Sequence, residues 1–102
     1  MRRNENRRSA PALLSPGSDA RFTPGQSVAF DWGDVAGSAT YTIQIDDSQS
    51  FSSPLVADRT LAFSQLTLTG LPTTRMWWRV RANDGAGAPG AWSAARRFEL
   101  KG

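Results

Sequence analysis

Apolar residues in this chain alternate with polar ones, and a period of two is the constraint that most limits what it can fold into. Val28-Ala29-Phe30-Asp31-Trp32 places Val28, Phe30 and Trp32 on one face, and Tyr41-Thr42-Ile43-Gln44-Ile45-Asp46 does the same with Tyr41, Ile43 and Ile45. Leu66 and Leu68 alternate with Thr67 and Thr69, Met76, Trp78 and Val80 with Trp77, Arg79 and Arg81, and Phe98 and Leu100 close the chain in the same way. Successive side chains of a strand point to opposite faces, so each run reads as a strand with one buried side. No stretch sustains helical spacing. Pro16-Gly17, Pro24-Gly25, Gly33-Asp34, Ala36-Gly37-Ser38, Asp84-Gly85 and Pro89-Gly90 separate the runs and supply the backbone angles that turns require.

Short strands punctuated so regularly predict an all-β sandwich or barrel and exclude a fold of alternating strands and helices. Seven strands are expected near 10–14, 26–32, 39–47, 53–58, 64–69, 75–83 and 94–100, in two antiparallel sheets with the first, second and fifth together. The Ala10–Leu14 run, stopped by Pro16, and the irregular run around Phe51, Pro54 and Leu55 read as edge strands. The expected core is Trp32, Tyr41, Ile43, Leu66, Leu68, Leu71, Trp78, Val80 and Phe98. A chain of 102 residues suffices for one such core and not for two. Its four Trp and five Phe make the burial large enough to offset the ordering of the backbone.

The formal charge of +3 sits in the first eight residues, where Arg2, Arg3, Arg7 and Arg8 face only Glu5. The remainder is neutral. Residues 1–9 therefore read as a basic arm or linker ahead of a domain spanning 10–102, and a solubilising or linking role is expected in preference to nucleic-acid binding. No apolar run reaches the ~20 residues of a membrane helix.

With neither His nor Cys, the chain lacks a histidine base, a thiolate nucleophile and the usual zinc ligands. Lys101 stands alone at the chain's end. The carboxylates Asp31, Asp34, Asp46, Asp47, Asp58, Asp84 and Glu99 mostly adjoin turn residues, where capping is their usual task, and a small sandwich offers no deep cleft in which two could face each other across a glycosidic bond. Asp46-Asp47-Ser48 offers oxygen ligands of the kind calcium takes, but its spacing matches no EF-hand pattern and a solvated turn is the expected reading. No enzyme activity and no cofactor or metal are expected.

The order of the features resembles a fibronectin type III domain, as found in bacterial secreted and surface multidomain proteins. The resemblance rests on Gln26–Trp32, Ala36–Ile45, Leu66–Pro72, Trp77–Ala82 and Gly90–Ser93 leading into Phe98. It implies a seven-stranded antiparallel immunoglobulin-like sandwich. The tyrosine usual four residues before the sixth-strand valine is here Met76, and no Arg-Gly-Asp triplet occurs. The alternation puts Trp77, Arg79 and Arg81 outward, with Trp92 and Arg97 as neighbours. In the family resembled, the Trp-Ser pair lies over the strand-six arginines, which makes a structural cation-π ladder the first reading of Arg79, Arg81 and Trp92. Half-exposed Trp and Arg are also the commonest binding anchors. The resemblance implies an extracellular, monomeric, non-catalytic spacer or protein-interaction module whose partners are neighbouring domains of a larger chain. The alternative is a module that binds a carbohydrate or protein ligand on the Trp77, Arg79 and Arg81 face, with Trp92 and Arg97 beside it. A cysteine-free chain of domain length would also suit an engineered scaffold.

Overall fold

The computed structural model describes residues 9–102, so the expected basic arm, apart from Ser9, lies outside the described residues. Eight strands form two sheets: β1 Leu13–Ser15, β2 Ala20–Phe22, β3 Val28–Trp32, β4 Thr40–Asp46, β5 Ala57–Leu61, β6 Gln65–Leu68, β7 Arg75–Asn83 and β8 Arg96–Leu100. One sheet has the order β1-β3-β6 and the other β2-β8-β7-β4-β5. Seven strands were expected; the eighth is β2. Its three residues pair parallel with β8, Ala20 beside Phe98 and Phe22 beside Leu100, whereas the other pairings are antiparallel. A three-residue strand next to Pro-Gly turns is too short for alternation to reveal it.

The expected strand at 53–58 is displaced to Ala57–Leu61. Residues 48–53 instead form a serine-rich loop, and only from Ile45↔Ala57 onward does the chain run in register with β4. β5 is an edge strand whose Asp58, Arg59 and Thr60 are exposed. The strand expected from 94 starts at Arg96. Ahead of it, residues 89–93 lie along the upper half of β7: Gly90 N–H donates to Ala82 C=O at 2.7 Å and Ser93 N–H to Val80 C=O at 2.9 Å.

β7 is the longest strand, and its even-numbered residues from Met76 to Ala82 are all buried. Trp78 meets Phe30 of the opposite sheet edge-to-face at 5.2 Å, Phe30 meets Phe98 at 5.4 Å, and Trp32 meets Tyr41 at 5.9 Å. Val28, Ile43, Ile45, Leu71, Met76, Val80 and Leu100 complete the filling between the sheets. Leu66 and Leu68 are half-buried on β6, an edge strand, and pack against the same cluster. The Tyr41 hydroxyl accepts hydrogen bonds from Val35 N–H at 2.9 Å and Ser38 Oγ at 2.7 Å, which secures the loop between β3 and β4.

Neither Trp32 nor Trp78 finds an acceptor for its buried indole N–H among the described residues. Each unpaired donor costs about 1–3 kcal/mol. An indole that removes roughly 150–250 Å² from water gains about 4–6 kcal/mol at ~25 cal/mol per Å², so burial outweighs the lost hydrogen bond. Trp78→Ala is expected to lower the unfolding free energy by about 3–5 kcal/mol in urea denaturation, and Trp78→Phe by markedly less, because Phe removes the orphaned donor together with the second ring.

Candidate functional site

The outer face of the five-stranded sheet carries the odd-numbered residues of β7, and its side chains fall into three zones. At the upper end, Asn83 Nδ2 donates to Thr40 Oγ1 at 3.1 Å and Thr42 Oγ1 at 3.0 Å, and Thr42 and Thr60 share a hydrogen bond at 2.9 Å. This polar ladder is self-satisfied.

The middle zone is a stack. The Arg79 guanidinium lies 4.1 Å from the centre of the Phe51 ring and 4.2 Å from that of Trp92, and Arg81 lies 4.4 Å from Trp92 on its own account. Trp92 reaches this position because residues 89–93 are tied to β7 by the backbone bonds described above and by Val80 N–H donating to Ser93 Oγ at 3.0 Å. Arg79 Nε and Nη2 both donate to Gln44 Oε1, at 3.2 and 2.8 Å, so the guanidinium plane is fixed by its edge as well as its faces. Burial first, and the Arg81 charge second, push the Arg79 guanidinium below its ordinary value; arginine starts so high that it stays charged. Of the face expected from the sequence, Arg79, Arg81 and Trp92 are thus brought together. Phe51, the second ring, and Gln44 went unnoticed: Phe51 sits at φ 57° in a loop whose sequence shows no alternation, so nothing in the chain announces that it turns back onto β7.

Trp77 and Arg97 stand apart from the stack. They are register partners on β7 and β8, but Arg97 Nε donates to Asp19 Oδ1 at 2.6 Å and is drawn toward β2. Trp77 is half-buried in the lower zone, in an open groove that also contains Asp47, Arg75 and Glu99.

The carboxylates of the β4–β5 connection are engaged in holding it. Asp46 is fully buried and accepts from Ser53 Oγ at 2.6 Å, Asp47 N–H at 2.8 Å and Ser53 N–H at 3.2 Å. Burial alone would raise its pKa, but the Ser53 hydroxyl and the two backbone donors together outweigh burial and hold it below the ordinary 3.8. Both of its oxygens are therefore occupied. Asp84 Oδ1 accepts from Ala86 and Ala88 N–H, both at 2.9 Å, and so caps the loop after β7.

The architecture is that of an immunoglobulin-like β-sandwich, and comparison with solved structures narrows it. The fibronectin type III-like modules of Clostridium thermocellum CbhA superpose with a TM-score of 0.66 at 12% identity over 89% of this chain and 95% of theirs. An Fn3-like protein from the same organism gives 0.63 at 21% identity over 92% and 97%. A β-1,2-glucanase from Parabacteroides distasonis gives 0.67 at 16% identity, covering 95% of this chain but only 13% of the enzyme. The chain has the fibronectin type III fold. No family model matches the sequence, and no curated protein matches it.

Two outcomes follow from these contacts. A double-mutant cycle on Arg79→Met and Trp92→Ala, read by urea unfolding, should return a coupling of about 0.5–2 kcal/mol, and Arg79→Lys should recover only part of it, since a lysine cannot lie flat between two rings. Ser53→Ala should cost about 1–3 kcal/mol near neutral pH by taking the hydroxyl donor from a buried carboxylate that keeps only its two backbone donors. A carboxyl held below its unfolded value contributes stability that is full above that value and is lost as pH falls through the lowered folded one. The gap between Ser53→Ala and the parent should therefore narrow as pH drops below about 4 in unfolding measured across that range.

Proposed function

We propose that the chain is a non-catalytic spacer and protein-interaction module of a multidomain extracellular bacterial protein. The observation that carries this reading is where the domain is entered and left. Ala12 lies beside the loop after β3, where its carbonyl accepts from Gly33 N–H at 2.8 Å, while Leu100 and Lys101 bond to Thr74 and Phe22 at the other end of the sandwich. A rigid body entered at one end and left at the other holds its neighbours apart by at least the length of β7, nine residues at ~3.3 Å each, or about 30 Å. Support comes also from the occurrence of the same fold as a small part of a long bacterial glucanase and as modules of CbhA. The absence of His and Cys from the sequence and the engagement of Asp46 and Asp84 in loop bonding fit a domain that does no chemistry.

The test is to place residues 9–102 between two folded reporters bearing a donor and an acceptor dye and to measure the distribution of their separation. A narrow distribution, longer than that given by a short flexible peptide in its place, is expected. A spread as broad as that of a Gly/Ser linker of equal length would sink the spacer role.

A further inference from the structure

The lower zone of the outer sheet face has a composition that the spacer role does not use. Trp77 is held half-open, and among the described residues it stacks on neither another ring nor a guanidinium, in contrast to Trp92. The reason is local. Arg97, the residue directly across from it, is drawn off to Asp19, and the two arginines that follow Trp77 on its face are taken by the Phe51 and Trp92 stack. Trp77 is thereby left to line an open groove of about 430 Å³ together with Asp47, Thr74, Arg75, Glu99 and Lys101.

The chemistry of that rim selects among ligands. Among the lining residues Asp47 and Glu99 balance Arg75 and Lys101, and Arg21 beside Glu99 is mostly exposed to solvent, so the groove carries no strong field with which to draw in an anion or a cation. What it presents is an apolar aromatic plane ringed by groups that hydrogen-bond through paired atoms: carboxylates that each accept twice and a guanidinium that donates as a fork. Those groups are already partly oriented, since Glu99 lies 3.8 Å from Arg21 and Asp47 Oδ1 lies 2.8 Å from Ser53 Oγ. A neutral pyranose matches both halves of this arrangement. Its axial C–H face is apolar and flat enough to cover an indole, and its neighbouring hydroxyls pair with carboxylate and guanidinium at the ring's edge. A charged sugar would meet one unfavourable pair on either side, and a wholly apolar ligand would leave the rim desolvated without partners.

We propose that the Trp77 groove is a binding site for a neutral glycan, taking one pyranose ring on the indole with Asp47, Arg75 and Glu99 on its hydroxyls. The site adds a recognition role to the module and does not depend on the spacer role being right.

The experiment is an NMR titration of the full chain with cellotetraose, laminaritetraose, xylotetraose and mannotetraose, with tetragalacturonate as the charged control. Each is taken to ~10 mM, above the millimolar Kd of a weak single-ring contact. The indole N–H signal of Trp77 should move on addition of at least one neutral sugar while those of Trp32 and Trp78 stay still. The backbone amide signals of Arg75 and Glu99 should move with it; Trp77→Ala should abolish that amide response with its three remaining indole signals unshifted, showing the variant folded, and Glu99→Gln should weaken binding by about tenfold. No movement of the Trp77 signal with any neutral sugar overturns the proposal and leaves the face to a protein partner. Movement with tetragalacturonate alone, or a response that survives Trp77→Ala, overturns it as well. The dye-separation measurement on the domain is unaffected by any of these results, so the two readings fail independently.

Discussion

The edge-to-face contact between Trp78 and Phe30 is the point on which the two sheets close. Trp78 stands midway along the longest strand, and Phe30 stands midway along the central strand of the smaller sheet. Phe98 reaches the same ring from β8 at 5.4 Å, so three strands converge on one cluster. Sheets packed face to face need such interdigitation at about 10 Å separation. With it in place the remaining buried positions of β3, β4 and β7 have only to be apolar and of suitable size, which is the tolerance that cores show in general.

The opposite side of β7 follows a different logic. Its core-facing residues are set by volume, whereas its outer ones are set by what crosses over them. The 89–93 segment and the β4–β5 loop are irregular, and each lays one aromatic ring on Arg79. The arginine thus fastens two loops to one strand, with Gln44 of β4 as a third attachment. A half-buried cation between two rings is tolerable because its charge faces π-electron density and its edge donors retain a partner. Trp77, the next outward residue toward the start of β7, is half-buried and stands outside this stack.

Much of this was legible in the residues themselves. Alternation marks β3, β4, β7 and β8 plainly, since each is long enough for three buried positions or bears large aromatics, and the same alternation separates Trp78 from Trp77. The assignment of the first, second and fifth runs to one sheet matches β1-β3-β6. What escaped was whatever depends on pairing between distant segments rather than on local period. Ala20–Phe22 is a strand only because β8 passes beside it, and residues 48–53 are a loop because Ser53 turns to cap Asp46. Phe51 joins the stack from a left-handed backbone position that a bulky residue seldom takes, and Arg97 leaves Trp77 for an aspartate far away in sequence. None of these has a periodic signature to read.

The parallel pairing of β2 with β8 has a mechanical meaning. β8 leads out of the sandwich at one end, and β2 is tethered, through β1, toward the other. Tension applied between residues 9 and 102 pulls the two strands past one another along their length. Their ladder, and the bond from Lys101 N–H to Phe22 C=O at 2.9 Å, then carry the force in shear, with several hydrogen bonds strained at once instead of parting one after another as in a peeled hairpin. A strand of only three residues is the one that stands in the line of pull.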